Sequence, residues 1–284
     1  MSLLDELHQR VLPADGAMGA ELLAASAARG GCLEALCVSE PDFVRRVHQS
    51  YLAAGARLIR TNSFGANAAR LATHGIEHHV SEINWTAAQL AKEVAAEAGA
   101  HVAGSVGPLG PGVARAHDLF LEQIGALLDG GTRVILLEGF TDLAEISIAL
   151  DAKHTLHHCP VIACLTCRED GRLPDGTTLE QAFARLRDAG ADVVGINRTT
   201  VTDALLAALP SPDLDLPLAM FAGAGLPHDD GGGRPACPVT PEQFARDALA
   251  LAGRGARLLG GCCGTGPAHI AALSAALEPR EKVE

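Results

Sequence analysis

Arg133-Val134-Ile135-Leu136-Leu137-Glu138-Gly139-Phe140 reads as a buried strand, because four consecutive apolar residues leave no polar side and a glycine interrupts the run where it ends. The Leu143–Leu150 stretch behind it carries helical spacing, so the two together make one parallel βα unit. The same unit recurs along the whole chain. Strands are expected at Val11–Met18, Arg57–Phe64, His101–Val106, Arg133–Phe140, Pro160–Thr166, Asp192–Asn197, Leu216–Ala222 and Ala256–Cys262. Helices are expected at Phe43–Ala54, Trp85–Ala98, Leu119–Leu128, Leu143–Leu150, Leu179–Ala189, Asp203–Leu209, Pro241–Ala252 and Ala268–Leu277. Eight such units in 284 residues predict an α/β fold, a (β/α)8 TIM barrel, with residues 1–284 forming a single domain. A doubly wound open sheet is the alternative, disfavoured in its nucleotide-binding form because no G-x-G-x-x-G follows the first strand.

The formal charge of −12 argues against nucleic acid and anionic membrane surfaces, which are bound by clustered Lys and Arg, and favours small-molecule partners. No apolar run is long enough to span a bilayer, and Asp5 and Glu6 stand where a signal peptide would be basic and then apolar. A cytoplasmic protein is expected. There, the 8 cysteines are read as thiols, metal ligands or catalytic groups and not as a disulfide framework.

A barrel places its site where the strands end. The strand ends carry Asp15-Gly16, Thr61-Asn62-Ser63, Gly104-Ser105, Glu138-Gly139, Thr166-Cys167, Asn197-Arg198 and Cys262-Cys263. Adjacent cysteines point to opposite faces of a regular strand, so the last pair can meet one partner only if the strand stops there, and Gly264 supplies the break. The pair reads as half of a thiolate metal site or as two small residues filling the core. Asp15 before Gly16 also suits a turn, whereas Glu138 at the end of a buried strand requires a partner or a function. Thr61, Asn62 and Ser63 could read a substrate carboxylate or cap the following helix. Asn197 suits a turn anchor. His154, His157 and His158 fall at the N-terminal face of the barrel and are read as a solvated helix end, and Trp85 as packing. Gly223–Thr240, rich in glycine and proline, is either a mobile lid or a connector.

ADGAMGAEL, TNSFGAN, GSVGPLG, LLEGF, GIN, AGAGLP and GGCCGTGPAHI occur in order along nearly the whole chain, which thereby resembles the homocysteine S-methyltransferase family. The resemblance implies a (β/α)8 barrel in which three cysteine thiolates hold zinc and the zinc binds homocysteine sulfur. It implies that a small methyl donor gives its methyl group to that sulfur, forming methionine, and a chain of this length favours a sulfonium such as S-methylmethionine. Cys262 and Cys263 match two of the zinc ligands, and Asp15 and Glu138 match the acidic residues that hold the amino group of homocysteine. Gly16, Thr61, Asn62, Ser63, Asn197 and Arg198 complete the expected substrate pocket.

The third cysteine belongs directly after G-x-N, where this chain has Arg198. An arginine offers no lone pair to a metal and repels it. Three readings follow. A third ligand comes from elsewhere, with Cys167 first by topology and Cys237, Cys32 and Cys37 behind it. Alternatively, Arg198 activates Cys262 or Cys263 as a thiolate without metal. Lastly, the chain is a non-catalytic paralogue lacking zinc that keeps a small-ligand pocket.

Overall fold

Eight short strands carry the apolar runs: β1 Leu12–Pro13, β2 Leu58–Arg60, β3 His101–Val106, β4 Val134–Phe140, β5 Val161–Leu165, β6 Val193–Asn197, β7 Leu218–Ala222 and β8 Ala256–Gly261. They form one parallel sheet in the order β1-β8-β7-β6-β5-β4-β3-β2. The two ends of that order meet, since Arg57 N donates to Pro13 O at 2.7 Å and Asp15 N to Leu58 O at 3.0 Å. The sheet is therefore closed, and the molecule is a (β/α)8 barrel. This computed structural model describes residues 1–25, 31–156, 158–210, 215–225, 228–229, 235–236 and 238–278.

In chain order the helices are α1 Leu3–Gln9, α2 Met18–Ala25, α3 Leu36–Ser39, α4 Pro41–Ala53, α5 Ala68–Leu71, α6 Val80–Ala98, α7 Ala116–Asp129, α8 Leu143–His154, α9 Leu179–Asp188, α10 Asp203–Ala208, α11 Pro241–Gly253 and α12 Pro267–Leu277. Eight of them, α4 and α6 to α12, are the outer layer that the sequence predicts. Their starts are set by local chemistry: Asp142, Thr178, Thr202 and Thr240 each accept a backbone N–H of the first turn.

Side chains alternate between two cores. Ile59, Ile135, Leu137 and Val194 face the helices, while Leu58, Ala103, Leu136, Val193 and Leu258 fill the barrel interior. Counting on by two from the interior set brings Arg60, Ser105, Glu138, Asn197 and Cys262 to the inside at the C-terminal end. The opposite end is closed by α1, which the sequence reading missed. Leu3 and Leu7 join the interior core, and Glu6 faces Arg10 and His101, with 3.0 Å to His101 Nε2.

β1 and β2 are shorter than expected. Past Pro13 the pairing continues through Ala14 N on Leu259 O and Asp15 N on Leu58 O, and Met18 already opens α2. β2 stops at Arg60 because Thr61 to Phe64 turn, with Ser63 N bonded to Thr61 O. The segment after β1 holds α2 and α3. In Gly223–Thr240, read as a lid or a connector, the described residues include a short antiparallel ladder, His228–Asp229 with Pro235–Ala236, and a Val239 N bond to Ala224 O at 3.2 Å, while residues 226–227, 230–234 and 237 lie outside the described residues. Trp85 is not packed: it is 48% exposed on α6, beside a groove of about 630 Å³ against α7 on the outside of the barrel. His154 lies at the end of α8 and faces Gly190, and His157 lies outside the described residues. Among the described residues no helix is long and apolar enough to cross a membrane.

Candidate active site

Arg60 organises the inner end of the mouth. Its guanidinium is buried under the strand ends, with Nε on Asp15 Oδ1 at 2.7 Å, Nη1 on Glu138 Oε2 at 3.0 Å and Nη2 on the carbonyls of Gly16 and Gly261. The Arg60 backbone N–H takes Asp15 Oδ2 at 2.8 Å, so both oxygens of Asp15 are engaged by one residue. Phe221 lies under the guanidinium at 4.9 Å. Desolvation works against the Arg60 charge, and the two carboxylates overcome it and hold the guanidinium firmly protonated. Asp15 is pushed up by burial, against the pull of Arg60. A buried cation with five satisfied contacts is the arrangement such a charge needs.

Glu138, which is 6% exposed where Asp15 is wholly buried, also accepts Ser105 Oγ at 2.6 Å and Asn197 Nδ2 at 3.4 Å. Asn197 Oδ1 receives Gly139 N at 3.1 Å and Thr166 Oγ1 at 3.2 Å, joining the ends of three strands. That is more than the turn anchor expected of it. Arg60 itself was not singled out by the sequence reading. The signal was present, because a charge two residues beyond an interior leucine on a barrel strand must point inward.

Thr61, Asn62 and Ser63 serve the scaffold and not a helix cap. Thr61 Oγ1 accepts Ser105 N at 2.9 Å, Ser63 Oγ donates to Ser105 O at 2.7 Å, and Asn62 Nδ2 donates to Leu33 O at 2.8 Å. The cap of α5 is Asn67. Gly16 must be glycine, as a Cβ there would stand 2.9 Å from both Tyr51 and Thr265.

Cys262 is the first residue beyond β8, and Gly264 takes a positive φ of 81°. The expected break is there, and it turns both thiols to one side with Sγ atoms 3.9 Å apart. The turn is pinned by Thr265, whose N and Oγ1 both bond Cys262 O. Cys263 is pulled down to about 6 by the hydrogen bond with Cys262 and by the Arg198 guanidinium, while the same hydrogen bond and burial push Cys262 well up. Arg198 is exposed at the rim, in the left-handed backbone region at φ 64°.

Two thiols at this separation match two corners of a tetrahedral zinc, whose sulfurs stand about 3.8 Å apart for Zn–S bonds of about 2.3 Å. The third corner is missing among the described residues. Among the described residues no three His, Cys, Asp or Glu side chains gather to hold a metal ion. Cys167, the expected third ligand, is buried with Sγ facing Thr199 Oγ1 at 3.6 Å, and burial pushes its thiol up. Cys32 donates to Glu34 and Cys37 to Asn62 O, and Cys237 lies outside the described residues. The described residues thus supply half of a zinc site and do not fit one of three thiolates.

The family model for homocysteine S-methyltransferase matches residues 12–277. Methionine synthase of Mycobacterium tuberculosis is 34% identical over 302 aligned positions, covering 97% of this chain, and that of Mycobacterium leprae is 33% identical. The chain spans about a quarter of the length of these relatives, 25% of each. The metallated form of the homocysteine methyltransferase MmuM from Escherichia coli superposes with a TM-score of 0.79 at 31% identity, covering 96% of this chain and 98% of that one.

Proposed function

The chain belongs to the homocysteine S-methyltransferase family, and from that premise we propose that it moves a methyl group from a small sulfonium donor such as S-methylmethionine to the sulfur of homocysteine, giving methionine, in the cytoplasm. The observation that carries this reading is the convergence of the Cys262–Cys263 pair and Glu138 on one mouth, where Arg60 bridges Glu138 to the Gly261 carbonyl next to the thiols.

The acceptor sulfur lies beside Cys262 and Cys263. Its ammonium faces Glu138, the carboxylate nearer the mouth, and its carboxylate meets the Arg198 fork at the rim. Asp15 acts on the acceptor only through Arg60, and Gly16 through its carbonyl. In the transfer the acceptor S–C bond forms as the donor C–S bond breaks in line, a neutral sulfide departs, and the acceptor loses its proton. Cys263 is held as thiolate near neutral pH, which makes it the group placed to take that proton. Holding both reactants in one mouth turns a bimolecular encounter into an oriented one.

Incubation with homocysteine and S-methylmethionine, read by mass spectrometry, is expected to yield methionine, and calorimetry to show homocysteine binding. No methionine and no heat at millimolar ligand would overturn the homocysteine assignment. Zinc content of the protein, purified without chelators or a metal-affinity tag, tests separately whether Cys262 and Cys263 hold a metal.

A further inference from the structure

The two carboxylates that the resemblance assigns to a substrate ammonium already have a cation. Arg60 reaches Asp15 through Nε and its backbone N–H, at 2.7 and 2.8 Å, and Glu138 through Nη1 at 3.0 Å. Ser105 takes the other oxygen of Glu138 at 2.6 Å. Every carboxylate oxygen of the pair therefore has a donor from the chain itself, and the three groups together retain one net negative charge and not two. An ammonium arriving at Glu138 meets either Oε2, held by a guanidinium that cannot deprotonate or leave, or Oε1, held by the Ser105 hydroxyl on a carboxylate whose charge that guanidinium already balances. Either way like charge meets like charge across one carboxylate group, in a sheltered site where such repulsion is poorly screened.

We infer that Arg60 is a specificity-determining residue that stands in for the acceptor's α-ammonium, so that the mouth takes thiol carboxylates whether or not they carry an α-amino group. The inference rests on the proposed acceptor site and narrows what that site reads: the thiol and the carboxylate are required and the amino group is dispensable. Arg60 is a positioning residue in this role, since it acts on the acceptor by neutralising and orienting Glu138.

The test compares two ligands that differ only in that group, L-homocysteine and 4-mercaptobutanoate, each titrated into the protein by calorimetry. An unshared, sheltered ammonium–carboxylate contact contributes about 1.5–3 kcal/mol, which is more than about tenfold in affinity. With Arg60 in place, the two dissociation constants are expected to lie within about tenfold of each other. A larger preference for homocysteine in the wild type overturns the inference while leaving homocysteine as the acceptor. Binding of 4-mercaptobutanoate without homocysteine overturns the homocysteine reading and supports the role of Arg60. Binding of neither overturns both.

Two variants sharpen the result. Arg60→Gln frees both carboxylates and is expected to raise the preference for homocysteine by at least about tenfold, whereas Arg60→Lys, which keeps the charge, is expected to hold it low. A folded Arg60→Gln protein with an unchanged preference overturns the assignment. The ratio of two affinities does not respond to a loss of stability common to both titrations, so a merely structural Arg60 would leave it unmoved. If neither variant folds, the wild-type ratio alone decides.

Discussion

Arg198 holds a backbone conformation that costs any non-glycine residue about 1–2 kcal/mol. Its amide bonds Phe221 O, so the neighbouring strand imposes the conformation, and another side chain at this position inherits it. Arg198→Cys therefore exchanges one side chain with little new backbone strain and sets a thiol where a guanidinium faced Cys263. Zinc content by elemental analysis is expected to rise from a substoichiometric wild-type value toward one equivalent, because a third thiolate replaces a repelling charge. A wild type that keeps a full equivalent through dialysis against EDTA would show that a third donor is already supplied from elsewhere in the chain. His48 carries a different consequence. It is wholly buried on α4, its ring nitrogens lack hydrogen-bond partners among the described residues, and burial pulls it down to about 4. The unfolded chain takes up this proton near pH 6.5 and the folded one only near 4, so stability falls as the pH drops through that window, by about 3 kcal/mol in all. Urea unfolding at a series of pH values should show this loss in the wild type and a smaller one in His48→Leu. Equal losses would mean that the imidazole is protonated in the folded protein without penalty.

Gly195 decides how closely two strands approach. A Cβ added there would stand 1.9 Å from Ala219 O, a backbone atom that has no rotamer to escape into. Gly195→Ala must push β6 away from β7 and is expected to cost at least about 3 kcal/mol, read as a lower urea midpoint with an unchanged slope. A midpoint within error of the wild type would show that the barrel wall yields at this point. The same elements show what the sequence made legible. All eight βα units could be read because a parallel strand covered on both faces must be apolar along its length, and nothing else in a soluble domain repeats that pattern so regularly. Glu138 was legible as a charge at the end of such a run, and the break after Cys262 as a glycine where two thiols must turn together. The expected β1 runs too far because apolar residues continue from the strand into α2, and periodicity cannot mark where the pairing that carries on through Ala14 and Asp15 gives way to the helix at Met18. α1 was missed because seven residues carry too little pattern, although Leu3 and Leu7 four apart were its trace. Arg60 was passed over because its importance lies in contacts across the sequence, to residues 45 and 78 positions away.

At the scale of the whole molecule, closure is what makes the eight units one object. Each strand is bonded on both sides, including β1, whose neighbours are β8 along the sheet order and β2 through the Arg57, Asp15 and Ala14 contacts. The site depends on that closure, because Arg60 on β2 reaches Asp15 beyond β1, Glu138 on β4 and Gly261 on β8, so loosening any of these walls separates the carboxylates from their cation. A closed ladder has no edge at which a unit can peel away while the rest keeps its pairing, and the interior core is shared by residues from every strand position around the ring. We therefore expect residues 1–284 to unfold as one cooperative domain. The single tryptophan makes this measurable, since Trp85 lies half-exposed on the outside of α6, away from the mouth, and reports the outer layer, whereas far-UV circular dichroism reports all the helices and strands together. Urea titrations followed by the two signals should coincide in midpoint and slope. If the Trp85 fluorescence changes at a lower urea concentration than the circular dichroism, the layer around α6 melts before the barrel and the chain is not a single cooperative unit.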